Sequence, residues 1–272
     1  MRKSLKGLTS PALAGVVRAV GTAAAVAAVK NCVYAGADMI DLHLSTLDDC
    51  SEASLARIIS HSRVPVLALN YNSKLDYSPA GFDEKERTEL LLRAVRAGAS
   101  GVDMQGYTFH APSKGGFFGE DKYSFTKKSP REVVTDSAVI DRQLDFMERV
   151  RAEGGEILLS CHPGVHLVGS EVVDLALFLE KRKPDIIKIV TTPESEEDVL
   201  SAVETMKMLV REVETPVAYH INGAIGAPTR ILCPLFGGKI AFCIERYAEG
   251  ADPEQIDLRT ARAAVDSMKK LI

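Results

Sequence analysis

The chain has 272 residues, of which 46% are hydrophobic and 26% charged, the make-up of a globular protein able to bury a large core. Its formal net charge of −4 offers no basic surface for a nucleic acid partner, and no run reaches the roughly 20 apolar residues that a membrane span requires. Five cysteines, Cys32, Cys50, Cys161, Cys233 and Cys243, are an odd number without a short-range framework, as in the reduced thiols of a cytoplasmic protein, so no structural disulfide is expected.

The amino terminus, Met1-Arg-Lys before an Ala-rich stretch from Ala19 to Val29, imitates a secretory leader. Arg18 and Gly21 interrupt it, and a strand followed by an Ala-rich helix is expected instead. From there, short β-branched apolar runs alternate with longer helical patterns along the whole chain, as in a parallel sheet with helical crossovers. The predicted strands are Leu13 to Arg18, Met39 to Leu44, Val66 to Asn70, Gly101 to Gln105, Ile157 to His162, Ile186 to Thr191, Val217 to Asn222 and Ile240 to Ile244. The predicted helices are Thr22 to Ala35, Glu52 to His61, Asp83 to Ala97, Asp136 to Ala152, Glu171 to Arg182, Ser195 to Val213, Ala227 to Phe236 and Pro253 to Leu271. Several end at glycine-containing breaks such as Ala97-Gly-Ala-Ser and Glu153-Gly-Gly-Glu, where glycine supplies a left-handed cap.

Eight strand-then-helix units predict a (β/α)8 barrel, an α/β fold, with residues 1–272 forming a single domain. Active sites of such barrels lie at the carboxyl ends of the strands, which leaves Gly237-Gly238, ahead of the last strand, on the opposite face. One connection is abnormally long, an insertion at about 106–135 between the fourth strand and its helix that includes Lys114-Gly-Gly-Phe-Phe-Gly-Glu120. It emerges on the catalytic face, where a lid, a subunit contact such as a homodimer would use, and plain disorder all fit.

The most informative residue is a lysine inside an apolar strand, Lys188 in Asp185-Ile-Ile-Lys-Ile-Val, with a neighbouring strand that ends Leu158-Leu-Ser-Cys-His162. A lysine between β-branched residues either snorkels or pairs structurally, or is kept for chemistry as a neutral amine. The strand-end polar set contains Asp41, His43, Asn70 to Asn72, Asp103, Gln105, His162, Lys188, Tyr219 to Asn222 and Glu245, joined by Arg230 and Gln255 from later turns. One lysine amid polar groups of mixed sign suits iminium formation with a carbonyl substrate, a histidine moving protons beside it. Cys161, His162 and His166 match no zinc spacing, because Pro163-Gly164 break any helix that would align the histidines. Neither metal nor cofactor is expected.

At these residues the chain resembles the type I 3-dehydroquinate dehydratase family of Schiff-base barrels, from about the second strand to the carboxyl terminus. The match is most specific in Leu158-Leu-Ser-Cys-His162 and Asp185-Ile-Ile-Lys188-Ile-Val-Thr-Thr-Pro193. The resemblance implies that Lys188 forms the imine with a substrate ketone and that His162 is the acid/base. It also implies that Arg230, in Gly226-Ala-Pro-Thr-Arg230, holds the substrate carboxylate and that Gln255, in Pro253-Glu-Gln255, touches the substrate where the family has Pro-Gly-Gln. Asp41 and His43 stand at the family's glutamate and arginine of strand two, and Tyr71 at an arginine of strand three. Gln105 replaces a glutamate that orients the catalytic histidine, and Ala251 replaces a serine. The implied activity is a lyase of the shikimate pathway acting on a small carboxylated ketone. The departures leave open a divergent dehydratase, the same imine chemistry on another keto acid, as in a retro-aldol cleavage, or a barrel that only binds a carboxylated metabolite.

Overall fold

In the computed structural model, which describes residues 2–71, 83–110, 133–247, 254–268 and 270, the β-branched runs form eight parallel strands. These are β1 (Ala12–Val17), β2 (Met39–His43), β3 (Val66–Leu69), β4 (Gly101–Gln105), β5 (Glu156–Cys161), β6 (Ile186–Thr191), β7 (Val217–Ile221) and β8 (Ile240–Cys243). Each pairs with its neighbour in sequence up to β7, and β1 also pairs with β8. The ring closes where the Lys239 amide donates to the Val217 carbonyl at 2.8 Å, giving the expected (β/α)8 barrel.

The helices are α1 (Thr22–Tyr34), α2 (Glu52–Ser60), α3 (Glu84–Arg96), α4 (Ser137–Ala152), α5 (Gly169–Glu180), α6 (Asp198–Glu212), the single turn α7 (Gly223–Gly226), α8 (Thr229–Leu235) and α9 (Leu258–Met268). Side chains set where several of them begin: Ser51 caps α2, Asp83 caps α3 and Asp136 caps α4 by accepting from backbone amides of the first turn, which satisfies donors that the helix itself leaves open. Gly98 (φ 111°) and Gly154 (φ 77°) close α3 and α4 in the left-handed region, as the glycine breaks predict. The Ala-rich stretch is α1, which buries Ala25, Val29 and Cys32. Several helix starts differ from expectation. The helix predicted from Ala227 starts at Thr229 as α8, after Pro228, with the unpredicted turn α7 ahead of it; α6 starts at Asp198 because its carboxylate first accepts from the Glu194 and Ser195 amides, and α9 starts at Leu258, five residues after Pro253.

Alternation along the strands divides the apolar core into two shells. Ile187 and Ile189 of β6, Leu159 and Cys161 of β5, and Val102 and Met104 of β4 face outward and pack against the helices. Met39, Leu67, Leu158, Ile186, Ala218 and Ile240 face inward and fill the amino-terminal end of the barrel. That end is plugged by the segment before β1. Leu5, 1% exposed, enters the inner cluster, while the Glu156 carboxylate accepts from the Leu5 and Lys6 amides at 2.7 and 2.9 Å. Lys239 locks the same segment by donating to the Lys6 and Leu8 carbonyls.

The insertion after β4 is anchored at both ends. The Gly106 amide donates to the Ser160 carbonyl, the Gln143 side chain of α4 donates to the Gly106 and Thr108 carbonyls, and Arg182 donates to the Val134 carbonyl. Residues 111–132, with Lys114 to Glu120, lie outside the described residues, as do Asn72, Ala251 and Pro253. Among the described residues no helix is long and apolar enough to cross a membrane.

Because Leu5 fills the barrel floor at the end of a short segment that can relax, Leu5→Ala is expected to lower stability by about 2 kcal/mol, the low end for a buried leucine. Urea unfolding followed by circular dichroism measures it.

Candidate active site

The alternation that buries Ile187 and Ile189 outside the barrel turns Lys188 inward, 9% exposed. The β-branched neighbours therefore do not surround the amine. Its Nζ donates to the Tyr71 hydroxyl at 2.9 Å, stands 3.9 Å from Asp103 Oδ2 and lies 4.4 Å from the centre of the Phe242 ring. Tyr71, two residues beyond β3, donates in turn to Asp103 Oδ2 at 2.8 Å, and Ser160 donates to Asp103 Oδ1 at 2.5 Å. Asp103 is fully buried. Burial raises its pKa, and the Lys188 charge and the Ser160 hydrogen bond oppose that rise.

His162 follows β5 and packs edge-on against Tyr71, with ring centres 5.6 Å apart. It is 6% exposed; burial, together with the charges of Lys188 and Arg230, holds its pKa well below the ordinary imidazole value. His220 of β7 is depressed in the same way by burial, Arg230, Lys188 and His162. Both rings are therefore neutral at pH 7, the state in which an imidazole accepts a proton.

On β2, His43 Nε2 lies 3.6 Å from Asp41 Oδ2, while the buried Asp41 Oδ1 accepts no hydrogen bond from the described residues. Across the barrel mouth Arg230, from the first turn of α8, donates through Nη2 to Glu254 Oε2 at 2.9 Å, and the Gly223 amide donates to the same oxygen at 2.9 Å. The guanidinium expected to meet a substrate carboxylate thus already holds one from its own chain, at the position where the family has glycine. Arg230 Nε and Gln255 Oε1 are buried and have no hydrogen-bond partner among the described residues.

Gln105, expected to act beside the histidine, has its carboxamide held by other groups. Its carboxamide accepts from Arg87 of α3 and donates to the Asp103 carbonyl at 3.1 Å, and its hydrogen bonds do not include His162. The reason is the buried guanidinium of Arg87, which needs acceptors on every edge. It takes the Glu84 carboxylate at 2.8 and 2.6 Å, the Asn70 carbonyl at 3.1 Å and the Thr108 hydroxyl at 2.7 Å besides Gln105.

The structure thus brings Lys188, Tyr71 and His162 together, sets Asp41 and His43 on the same inner wall, places Arg230 and Gln255 at the mouth, and leaves Gln105 bound to Arg87. Asp103 and Ser160, absent from the expected substrate contacts, are central. Their signal was period two: Asp103 precedes Gln105 by two residues, and Ser160 precedes His162 by two. Glu254 carries no such signal.

The sequence profile of the type I 3-dehydroquinase family matches residues 16–272. The 3-dehydroquinate dehydratase of Methanothermobacter thermautotrophicus is 24% identical over 236 residues, 87% of each chain. That of Staphylococcus epidermidis is 26% identical over 128 residues, so that the aligned stretch spans 46% of this chain and about half, 52%, of the relative. The crystal structure of type I 3-dehydroquinate dehydratase from Clostridium difficile with covalently modified comenic acid shares the fold with a TM-score of 0.76 and 15% identity over the full length of both chains. With the profile covering nearly the whole chain, the protein belongs to the type I 3-dehydroquinase family.

Proposed function

We propose that the protein is a Schiff-base-forming lyase that removes water from a small cyclic ketone bearing a carboxylate, chemically akin to 3-dehydroquinate. The observation that carries this reading is the Lys188 amine on the polar inner wall of the barrel, with a neutral histidine on the next strand. Lys188 attacks the ketone, and loss of water gives an iminium that acidifies the adjacent carbon. His162 takes the proton from that carbon, then returns it to the departing β-hydroxyl, and water releases the product from the lysine. Arg230 supplies a planar fork for the substrate carboxylate. The open acceptors Asp41 Oδ1 and Gln255 Oε1 suit substrate hydroxyls, with His43 and Tyr71 beside them. The unpaired thiols, four of them buried, fit a reducing compartment such as the cytoplasm.

Borohydride added with a carboxylated ketone is expected to fix the ligand on Lys188, located by peptide mass mapping, and Lys188→Ala should abolish the adduct. Labelling confined to surface lysines across a broad carbonyl panel would remove the imine reading.

His162→Ala is expected to lower turnover by about 10²-fold or more, the usual scale for a positioned acid/base, while imine trapping persists. The depressed pKa adds a sign. The neutral base is lost only as pH falls through a value below the ordinary 6.5, so kcat/KM of the unaltered enzyme should hold at pH 6, and a fall centred on 6.5 or above would contradict the assignment.

The substrate itself is read from Glu254. A carboxylate must replace the Glu254 carboxylate on Arg230, and a charge-assisted hydrogen bond contributes roughly 1.5 to 3 kcal/mol. At about 1.4 kcal/mol per decade, Glu254→Gly should lower KM for carboxylated ketones by about 10- to 100-fold with little change in kcat. With histidine and tyrosine also standing at two family arginine positions, 3-dehydroquinate should be a poor substrate of the unaltered protein, and steady-state kinetics on both forms tests the point.

A further inference from the structure

Lysine attacks a ketone only as a neutral amine, yet Lys188 faces Asp103, a carboxylate that by itself favours the ammonium form. The geometry between the two is specific. At 3.9 Å the amine and Asp103 Oδ2 are too far apart for direct proton transfer, but the Tyr71 hydroxyl lies between them, 2.9 Å from Nζ and 2.8 Å from Oδ2, accepting from one and donating to the other. The second carboxylate oxygen is held by Ser160, which fixes Oδ2 toward the phenol.

We propose that Tyr71 is a catalytic proton relay that passes the Lys188 ammonium proton to Asp103, so that the pair can exist as a neutral amine and a neutral carboxylic acid. In the transfer an N–H bond of Lys188 breaks as an O–H bond forms on Tyr71, while the original phenolic O–H bond breaks and its proton joins Asp103 Oδ2. No phenolate forms, no proton leaves the trio, and both hydrogen bonds survive with their directions reversed. When the carbinolamine loses its hydroxyl as water, Asp103 returns its stored proton to Tyr71 as the Tyr71 hydroxyl proton passes to the departing oxygen, which leaves the iminium on Lys188. The surroundings favour this arrangement: burial raises the pKa of Asp103, easing its protonation, and burial with the nearby carboxylates raises that of Tyr71, disfavouring a phenolate. Around the trio, Asp41 from β2 and Arg87 from α3 act on Asp103, His162 after β5 and His220 from β7 lie in the field of Lys188, His43 stands beside Asp41, and Arg230 from α8 acts on the two histidines. Of these, His162 and His220 are neutral at pH 7. The role in carbinolamine breakdown rests on the proposed imine chemistry, whereas the proton sharing does not.

The consequence is a pH signature. An amine that loses its proton to solvent becomes about tenfold more reactive per pH unit below its pKa, but one that loses it to an internal partner has a reactive fraction independent of pH while the trio holds that proton. Reductive methylation with formaldehyde and cyanoborohydride, read residue by residue from peptide masses of the full-length protein, reports this without substrate. Between pH 6 and 8 Lys188 is expected to show a plateau where surface lysines climb. Tyr71→Phe keeps the ring beside His162 but removes the bridge, and should restore the climb. Asp103→Asn removes the acceptor and should do the same, which keeps the test decisive if either variant folds poorly. A Lys188 rate that climbs like a surface lysine in the unaltered protein, or a plateau that survives Tyr71→Phe, overturns the relay. A plateau without ketone trapping would instead leave the relay standing and overturn the proposed lyase.

Discussion

A side chain on a closed barrel strand has two destinations, the helix layer or the barrel interior, and alternate residues must take opposite ones. This constraint organises the rest of the molecule. In β6 it sends Ile187 and Ile189 into the apolar shell and leaves Lys188 no direction but inward. The interior cannot be apolar along its whole height once Lys188, Asp41, Asp103, His43, His162 and His220 enter it, so it is graded: Leu5, Met39 and Leu158 fill the floor, and polar groups occupy the levels above. Each polar group there must find its partner inside the ring, since an unpaired buried charge costs several kcal/mol. Asp103 therefore collects Tyr71, Ser160 and Lys188, and the partners that make its burial tolerable are also those that reach the reactive amine.

Behind this wall stands a second buried ion pair. Arg87 and Glu84 of α3 bond to each other, but such a pair contributes little net stability once desolvation is counted. Its structural effect is placement. Arg87 binds the Asn70 carbonyl at the end of β3, the Gln105 carboxamide at the end of β4 and the Thr108 hydroxyl beyond it, and Glu84 accepts from the Phe109 amide at 2.9 Å. One guanidinium thus fixes the backbone from which Tyr71 extends together with the first residues of the insertion. Gln105, where the family carries a glutamate, serves this scaffold by offering a neutral acceptor to a cation that already has its carboxylate.

Most of the barrel was legible because β-branched runs are short and glycine breaks end several of the helices before them, so strand ends could be placed within one or two residues. Lys188 and His162 stood out as polar residues within or just beyond an apolar strand; a structural pairing explains that placement equally well, and it was the family resemblance that singled them out. Gln105 was read from its strand end and from the glutamate the family resemblance sets there, and neither reveals a long side chain from α3 that claims its carboxamide. Asp103 was visible as an inward residue, but its importance comes from Tyr71, beyond the end of β3, and Ser160 of β5, a convergence across more than 30 residues that periodicity does not carry. The Arg230–Glu254 contact is harder still, since it joins a helix to a later loop through side chains alone. Proline was the opposite case: Pro228 marks the break between α7 and α8 that the apolar pattern conceals.

A common tendency links these features: the interior settles into states with as little isolated charge as its groups allow. Burial keeps His162 and His220 neutral, raises the proton affinity of Asp103, and leaves Arg230 with the Glu254 carboxylate on it. In the proposed reaction a substrate with one carboxylate would add a negative charge to this cavity, balanced only if that group took over the guanidinium and Glu254, the more exposed partner of that pair, turned toward solvent. The iminium then adds a positive charge within reach of Asp103. In the proposed chemistry the charge needed for reaction appears only as the substrate reacts, beside Tyr71 and Asp103, whose hydrogen bonds to Lys188 and to each other already link the groups that would share the proton.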